Sequence, residues 1–516
     1  MNFSMKKSYI FTGILVFSLA IGCSDKDLNQ LNPNAVTTDS YFKTDAQIRS
    51  AINGVYAATQ STNLVAREWF FTNDLRSDDV SAGGGQLETP RNQLLLGVHD
   101  ANNSLVGSVW TGAYRVIHRA NVVIDNAAAS TGLTATVATQ AVGEAKFLRA
   151  WSYFELVSMW GGVPLYKNYV TSLAGAGARA SEAEVYAFIV EDLKAAQTAL
   201  PATYDAANQG RATKGAAQML LARAYMQQGD YTNAKTELQK IISSGTYQLV
   251  DEYNDNFLEE TEFNKESIWE VNFLTSGGTF NWNTDADGAS AGEETVRTQE
   301  YSGIGWRNII PSNSLLAEFE KTTKGDAKTD PRYAKSVYTT GDKYNKDQSV
   351  LTDAVQNGFS SMVDGKEQKI SWRKFTLMYK AGVSTTGGIN QRIMRYAETL
   401  LAMAECENEA GNIASAVNYL NMVRSRPSVA MPAYPTANYP VSTKDQVFNA
   451  IVHERRVELN GEEIRNKDIL RWRKNGKLKT EPLAYFQKGK HELLPIPQQE
   501  IDNNPNVGIK GQNPGY

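Results

Sequence analysis

KGAAQMLLARAYMQQGDYTNAKTELQKIISSG, residues 214–245, decides the architecture. Within Lys214–Gln228 the residues Ala217, Leu220, Leu221, Ala224 and Tyr225 fall at i, i+3, i+4, i+7 and i+8, one continuous apolar stripe of a helix. Gly229-Asp230 interrupts it, and Tyr231, Ala234, Leu238, Ile241 and Ile242 form the stripe of a second helix that Gly245 ends. Small residues let the two helices approach closely, and the tyrosines fill the groove between neighbouring pairs. One helical pair cannot bury its own apolar face, so several must stack.

With Tyr225, Gly229, Tyr231 and Ala234 in register, the unit resembles a tetratricopeptide repeat. A second copy follows near the C-terminus. Pairing Leu221 with Leu401 sets Ala234 against Ala416 and gives the second unit a turn about two residues longer, at Gly411. Apolar periodicity also predicts helices over Gly143–Trp160 and Glu182–Ala199. The period is not kept from end to end, which predicts a packed helical wall inside a larger domain. Residues 251–391 change character, with short β-like runs at Ser267–Phe273 and Ser336–Thr340 between Gly- and Asn-rich stretches. The expected fold is therefore mainly α. Tetratricopeptide-like helical pairs form its scaffold, with long irregular loops and a few short strands. One composite domain is expected over 38–516, with an N-terminal helical part at 38–250 and a C-terminal part at 251–516 that includes the loop region 251–391.

The chain has 516 residues, 42% hydrophobic and 21% charged, which excludes wholesale disorder and a disulfide-stapled mini-fold. Lys+Arg is 52 against Asp+Glu 56, so there is no global basic field for nucleic acid. Four scattered histidines (His99, His118, His453, His491) and two cysteines give no metal-ligand cluster, and no cofactor motif is present. Lys6 and Lys7 precede an apolar run, Tyr9–Gly22, too short to span a bilayer, and Cys23 follows directly. The reading is a signal peptide over 1–22 and a bacterial lipoprotein box that leaves Cys23 acylated, on a polar tether over 23–37. Cys406 then has no partner, and its setting in Leu400–Cys406 predicts a small buried residue.

Motifs for chemistry are weak. Gly288-Ala-Ser-Ala-Gly292 matches G-x-S-x-G around Ser290, but a polar loop precedes it where a nucleophile elbow needs a strand. Asp285 and Asp287 lack the remaining spacing of a calcium loop, and Gly83-Gly-Gly85 lacks the Lys-Ser/Thr of a phosphate loop and reads as flexible. No spacing marks a pair of carboxylates for glycoside hydrolysis. The aromatics say more. Trp69, Phe71, Trp282, Tyr301 and Trp306 lie among Asn, Asp, Arg and Gly. Sugar recognition needs that mixture, a flat apolar face for the C–H surface of a pyranose beside polar groups for its hydroxyls. Trp110, Trp151, Trp160 and Trp269 sit in apolar patterns and read as core.

Several segments in order resemble the SusD/RagB family, surface glycan-binding lipoproteins of Bacteroidetes. They are Gly54–Ala57, Arg76–Asp79, Trp110–Arg115, Gly143–Ala150, Trp160-Gly-Gly-Val-Pro164, Gly210–Ala216, Glu454–Leu459, Asp468–Trp472, Leu494-Pro-Ile-Pro497 and Gln512–Tyr516. Most read physically as structure: Glu454, Arg455, Glu458 and Asp468 are expected to pair with one another, and Arg149, Arg455 and Arg456 to serve the scaffold. The resemblance implies a non-catalytic, lipid-anchored lid at the outer-membrane surface. Such a lid captures an oligo- or polysaccharide and passes it to a SusC-like TonB-dependent transporter. It also implies a ligand site built from an aromatic arc in two regions, here Trp69–Asp79 and Trp282–Asn308. From chemistry and region the candidates are Trp69, Asn73, Asp74, Asp78, Trp282, Tyr301, Trp306 and Arg307. A peptide-capturing lid of the same fold and a surface glycosidase are the competing readings.

Overall fold

The computed structural model describes residues 41–275, 280, 282, 293–320, 329–363, 365–382 and 384–516. The expected signal peptide, Cys23 and its tether lie outside the described residues, as do Asp285, Asp287 and Ser290.

Ten helices of ten or more residues carry the architecture among the described residues. They are α1 (Asp45–Thr59), α2 (Ser104–Ala129), α3 (Ala135–Trp160), α4 (Glu182–Ala199), α5 (Lys214–Gln227), α6 (Tyr231–Ser244), α7 (Tyr396–Glu409), α8 (Ile413–Arg424), α9 (Lys444–Leu459) and α10 (Arg465–Lys474). Local chemistry starts and stops them. Thr44, Ser181 and Thr443 open α1, α4 and α9 with capping boxes, in which the hydroxyl and the Gln or Glu side chain three residues on each accept a backbone N–H. Asp230 caps α6, accepting from the Asn233 N–H at 3.0 Å. Successive helices pack in a line: α2 on α3, α3 on α4, α4 on α5, α5 on α6, then α6 on α7 and α7 on α8 and α9. The wall is continuous although about 150 residues of chain separate α6 from α7. Trp110, Trp151, Trp160, Trp269 and Cys406 are all buried, and burial pushes the Cys406 thiol up.

The two tetratricopeptide-like units match more closely than the Leu221–Leu401 pairing supposes. α5 and α7 are each 14 residues long. Each is followed by a three-residue turn whose middle residue is a left-handed glycine, Gly229 (φ +76°) or Gly411 (φ +82°). The turns are thus equal in length, and Leu221 answers Met403 rather than Leu401. The turn sets the register, because only glycine enters that conformation without strain.

The insertion between α6 and α7 contains most of the strands, all in two-stranded antiparallel pairs. Ser267–Val271 pairs with Gln391–Arg395 and closes the two ends of the insertion on each other. Val337–Thr339 pairs with Ile370–Trp372. Val80–Ala82 pairs with Ile309–Pro311, joining the segment after α1 to the middle of the insertion.

Charges inside the protein fix the insertion to the wall. Glu458 on α9 accepts from Arg332 (2.9 Å), Arg395 (2.7 Å) and Arg426 (2.9 Å). Glu454, one turn earlier, accepts from Arg332 (2.6 Å) and Arg424 (2.9 Å). Glu266 from the insertion accepts from Arg395 and Arg426, both at 2.7 Å. Of the expected mutual pairs, Arg455 and Asp468 do meet, at 2.7 Å and 2.9 Å. Glu454 and Glu458 instead turn to arginines from other elements. Arg149 is bidentate to Asp192, and Arg456 reaches Asp79 at 2.7 Å, both internal.

Burial favours the neutral form of Glu458, but Arg426, Arg395 and Arg332 overturn that and hold its carboxyl below its ordinary value of 4.5. A depressed folded-state pKa contributes stability that is present above about pH 4.5 and lost as pH falls. Glu458→Gln should lower unfolding free energy by about 3–5 kcal/mol at pH 7, the cost of leaving buried arginines short of an anion. Urea unfolding followed from pH 7 to pH 3.5 should show a shallower acid loss for the variant than for the parent. Equal slopes would mean that Glu458 carries no such charge.

Candidate ligand-binding site

Of the Phe, Tyr and Trp side chains among the described residues, only Trp282, Trp306 and Phe359 are exposed. Trp282 and Trp306 are 45% and 40% accessible, and their ring centroids lie 5.3 Å apart at 34°. They form one platform. Phe280 meets Trp282 edge-on at 4.9 Å, and the Arg67 guanidinium lies 5.3 Å from the Trp282 ring centroid. Arg67 is itself fixed by Glu300 at 2.6 Å and Glu88 at 3.3 Å.

Trp306 stands on a stiff base. Its N–H donates to the Gln299 carbonyl at 2.6 Å, and its own carbonyl accepts from the Gln86 amide at 3.0 Å. Arg307, at φ +55°, turns inward and is fully buried. Its guanidinium donates to four carbonyls: Ile370 (2.7 Å), Gly83 (2.9 Å), Asn357 (2.6 Å) and Phe359 (3.0 Å). Burial lowers its pKa to about 10. Asn357 also donates to the Gly305 carbonyl at 3.1 Å, so the segment bearing Phe359 flanks the one bearing Trp306. Gly83 is glycine for a packing reason. A Cβ there would run into the Arg307 carbonyl oxygen, so this stretch is a tight crossing and not the flexible loop its sequence suggests.

The remaining candidates are inside. Glu68–Asp74 is a seven-residue helix with every residue buried. Trp69 Nε1 donates to Glu155 at 2.8 Å, and Asn73 accepts from Lys467 at 2.8 Å. Asp74 accepts from the Tyr301 hydroxyl at 2.7 Å, and burial raises its carboxyl to about 6 against the pull of Arg297. Tyr301 is wholly buried beside Phe70, Phe71 and Trp372. Asp78 is held by Arg465 at 2.7 Å and Arg456 at 3.0 Å, and these cations bring its pKa down against its partial burial. The structure thus brings Trp282 and Trp306 together at the surface. Trp69, Asn73, Asp74, Tyr301 and Arg307 are in the interior, and Asp78 is tied down at its edge.

The family model described as "SusD family" matches residues 265–516, and one described as "Starch-binding associating with outer membrane" matches residues 26–226. A tetratricopeptide-repeat model matches 216–244. The chain belongs to the SusD family. A SusD-like protein of Formosa agariphila is 28% identical over 99% of this chain and all of its own length. Among solved structures, surface glycan-binding protein A from Bacteroides fluxus aligns with a TM-score of 0.73 at 26% identity, over 91% of this chain and 99% of its own. Its counterpart from Bacteroides thetaiotaomicron, solved with laminarihexaose, gives 0.71 at 23%, again over 91% and 99%. Among the described residues of this SusD-family chain, no helix is long and apolar enough to cross a membrane.

Sequence reasoning missed Phe280, Phe359, Arg67, Gln86 and Glu88. Phe359 carries the same signal as Trp306, an aromatic among Gln, Asn, Gly and Ser in Gln356–Ser361, and the rule applied to tryptophan would have found it. Arg67 and Gln86 carry no such local signal, since each meets the insertion through contacts distant in sequence, Arg67 with Glu300 and Gln86 with the Trp306 and Arg307 carbonyls. Trp306→Ala should leave stability within about 0.5 kcal/mol of the parent, as an exposed ring does. Arg307→Ala should cost about 3 kcal/mol through its lost charged hydrogen bonds. Denaturant midpoints of the two variants measure the contrast, and equal losses would place Trp306 in the core.

Proposed function

We propose that this chain is a cell-surface lipoprotein of the outer membrane, acylated on Cys23. In this reading it captures a neutral oligo- or polysaccharide on the Trp282–Trp306 platform and passes it unchanged to a SusC-like TonB-dependent transporter. The observation that carries the reading is the exposed tryptophan pair. Two large apolar faces left in water by a chain that buries its other tryptophans are unfavourable unless something covers them, and a pyranose presents a C–H face of matching shape. Gln86 and Glu88 lie beside them for hydroxyl contacts. Family membership supports the ligand class, as does the laminarihexaose bound by the Bacteroides thetaiotaomicron relative.

Chemistry on the ligand has little support at this platform. Glycoside hydrolysis needs one carboxyl free to donate a proton and a second to attack or to activate water. Glu300 is wholly buried, and both it and Glu88 are engaged by Arg67. Neither is disposed as a free acid opposite a free base.

Mature protein run in native gels containing laminarin, starch or xylan should be retarded by at least one of them and release no reducing ends. Trp282→Ala and Trp306→Ala should each weaken that retardation at least about tenfold, as loss of a central aromatic contact does. Cys23→Ala should move the protein out of the membrane fraction. Full retardation of both tryptophan variants would sink the platform reading, and saccharide shortening with time would sink the non-catalytic one.

A further inference from the structure

A groove of about 550 Å³ runs along the outer face of α2, walled by the chain after Tyr166 and by the short Gln498–Asn503 helix. That volume is in the range of small-molecule sites. None of its lining residues comes from the segments that build the tryptophan platform. Its floor is aromatic: the half-buried Tyr114 and Tyr166 lie 5.8 Å apart, and the buried Trp110 backs Tyr114 at 5.0 Å. The polar atoms of that floor are committed inward. Trp110 Nε1 donates to Glu500 at 3.4 Å, the Tyr114 hydroxyl donates to the Pro164 carbonyl at 2.8 Å, and the Tyr166 hydroxyl accepts from the Gly177 N–H at 3.2 Å. What the floor offers a ligand is carbon surface held rigidly.

The rim is the opposite. Thr111, His118, Gln499 and Asn503 are exposed, and their side chains make no hydrogen bond among the described residues. Partial desolvation at the groove and then the nearby Arg119 lower the His118 pKa, which leaves its ring as one donor and one acceptor at neutral pH. Among the described residues Glu500 is the only charged one lining the groove, and its carboxylate is taken up by Trp110 and by Asn504 at 2.7 Å. Among the described residues no cation lines the groove to receive a carboxylate, phosphate or sulfate.

We propose that this groove is a second saccharide-binding site, separate from the platform, that takes a short, uncharged oligosaccharide. Apolar sugar faces lie on the Tyr114–Tyr166 floor, which Trp110 supports from beneath, and the rim amides, hydroxyl and imidazole meet the ring hydroxyls. The inference does not rest on the platform reading, because no residue is shared.

The test is calorimetric titration of the full mature chain with laminarihexaose, maltohexaose and cellohexaose in parallel. Trp282→Ala/Trp306→Ala, which removes the platform, should still bind at least one of the three. Thr111→Trp, which places a large ring in the groove, should weaken that residual binding at least tenfold. Gln499→Ala/Asn503→Ala, two exposed truncations that leave folding intact, should do the same. If the tryptophan variant binds none of the three, or binds one unaffected by both groove changes, the proposal is overturned. If the tryptophan changes alter nothing while the groove changes abolish binding, the groove stands and the platform reading falls.

Discussion

Glu458 is a buried anion at which three parts of the chain, distant in sequence, meet. Arg332 comes from the insertion, Arg395 from the strand that ends it, and Arg426 from the turn after α8. Such pairs contribute little net stability over a well-packed apolar core, because desolvation offsets most of the attraction. Their worth lies in geometry, since a guanidinium satisfied by two or three fixed carboxylates has one place to go. The insertion needs this. Outside the main core its apolar side chains form only small clusters, such as Ile310, Leu316, Val337, Val363 and Ile370. Clusters of that size and two-stranded sheets could slide on a helical wall, whereas the arginines set one position.

The same device extends outward towards the platform. Lys374, buried in the insertion, donates to the carbonyls of Glu458 and Asn460 and to Glu462, and burial lowers its pKa to about 8. Arg297, at the start of the segment leading to Trp306, donates to the Gly461 carbonyl at 2.7 Å and meets Glu463 at 2.6 Å. On the way to Trp306, Arg297, Glu300 and Arg307 are each held by hydrogen bonds within the protein. The segment bearing Trp306 is thereby anchored to the protein, which limits the ordering entropy lost when a ligand settles on that ring.

The helical wall was legible because its signal is local. Apolar spacing in residues 214–245 fixes two helices, and a glycine fixes the turn between them. The one misplaced feature, the register of the second copy, came from matching leucines rather than turns. The site was half legible. A rule that looks for aromatics among polar neighbours cannot tell a solvated segment from one whose polar groups are satisfied internally. Glu68–Asp74 and Trp282–Trp306 read alike. The difference lies in Lys467, Glu155 and Tyr301, partners that come from other parts of the chain and that no window around Trp69 contains.

At the platform the charged groups are already committed: Arg67 to Glu300 and Glu88, and Arg307 to four carbonyls. A site that meant to polarise a bond or move a proton would keep such a group free and aim it outward. Here the freedom left to a ligand is carbon surface and a few amides. In the proposed reading, complementarity of that kind would grip a neutral, hydroxylated molecule in its ground state and offer nothing extra to a transition state, which is the physical meaning of binding without turnover.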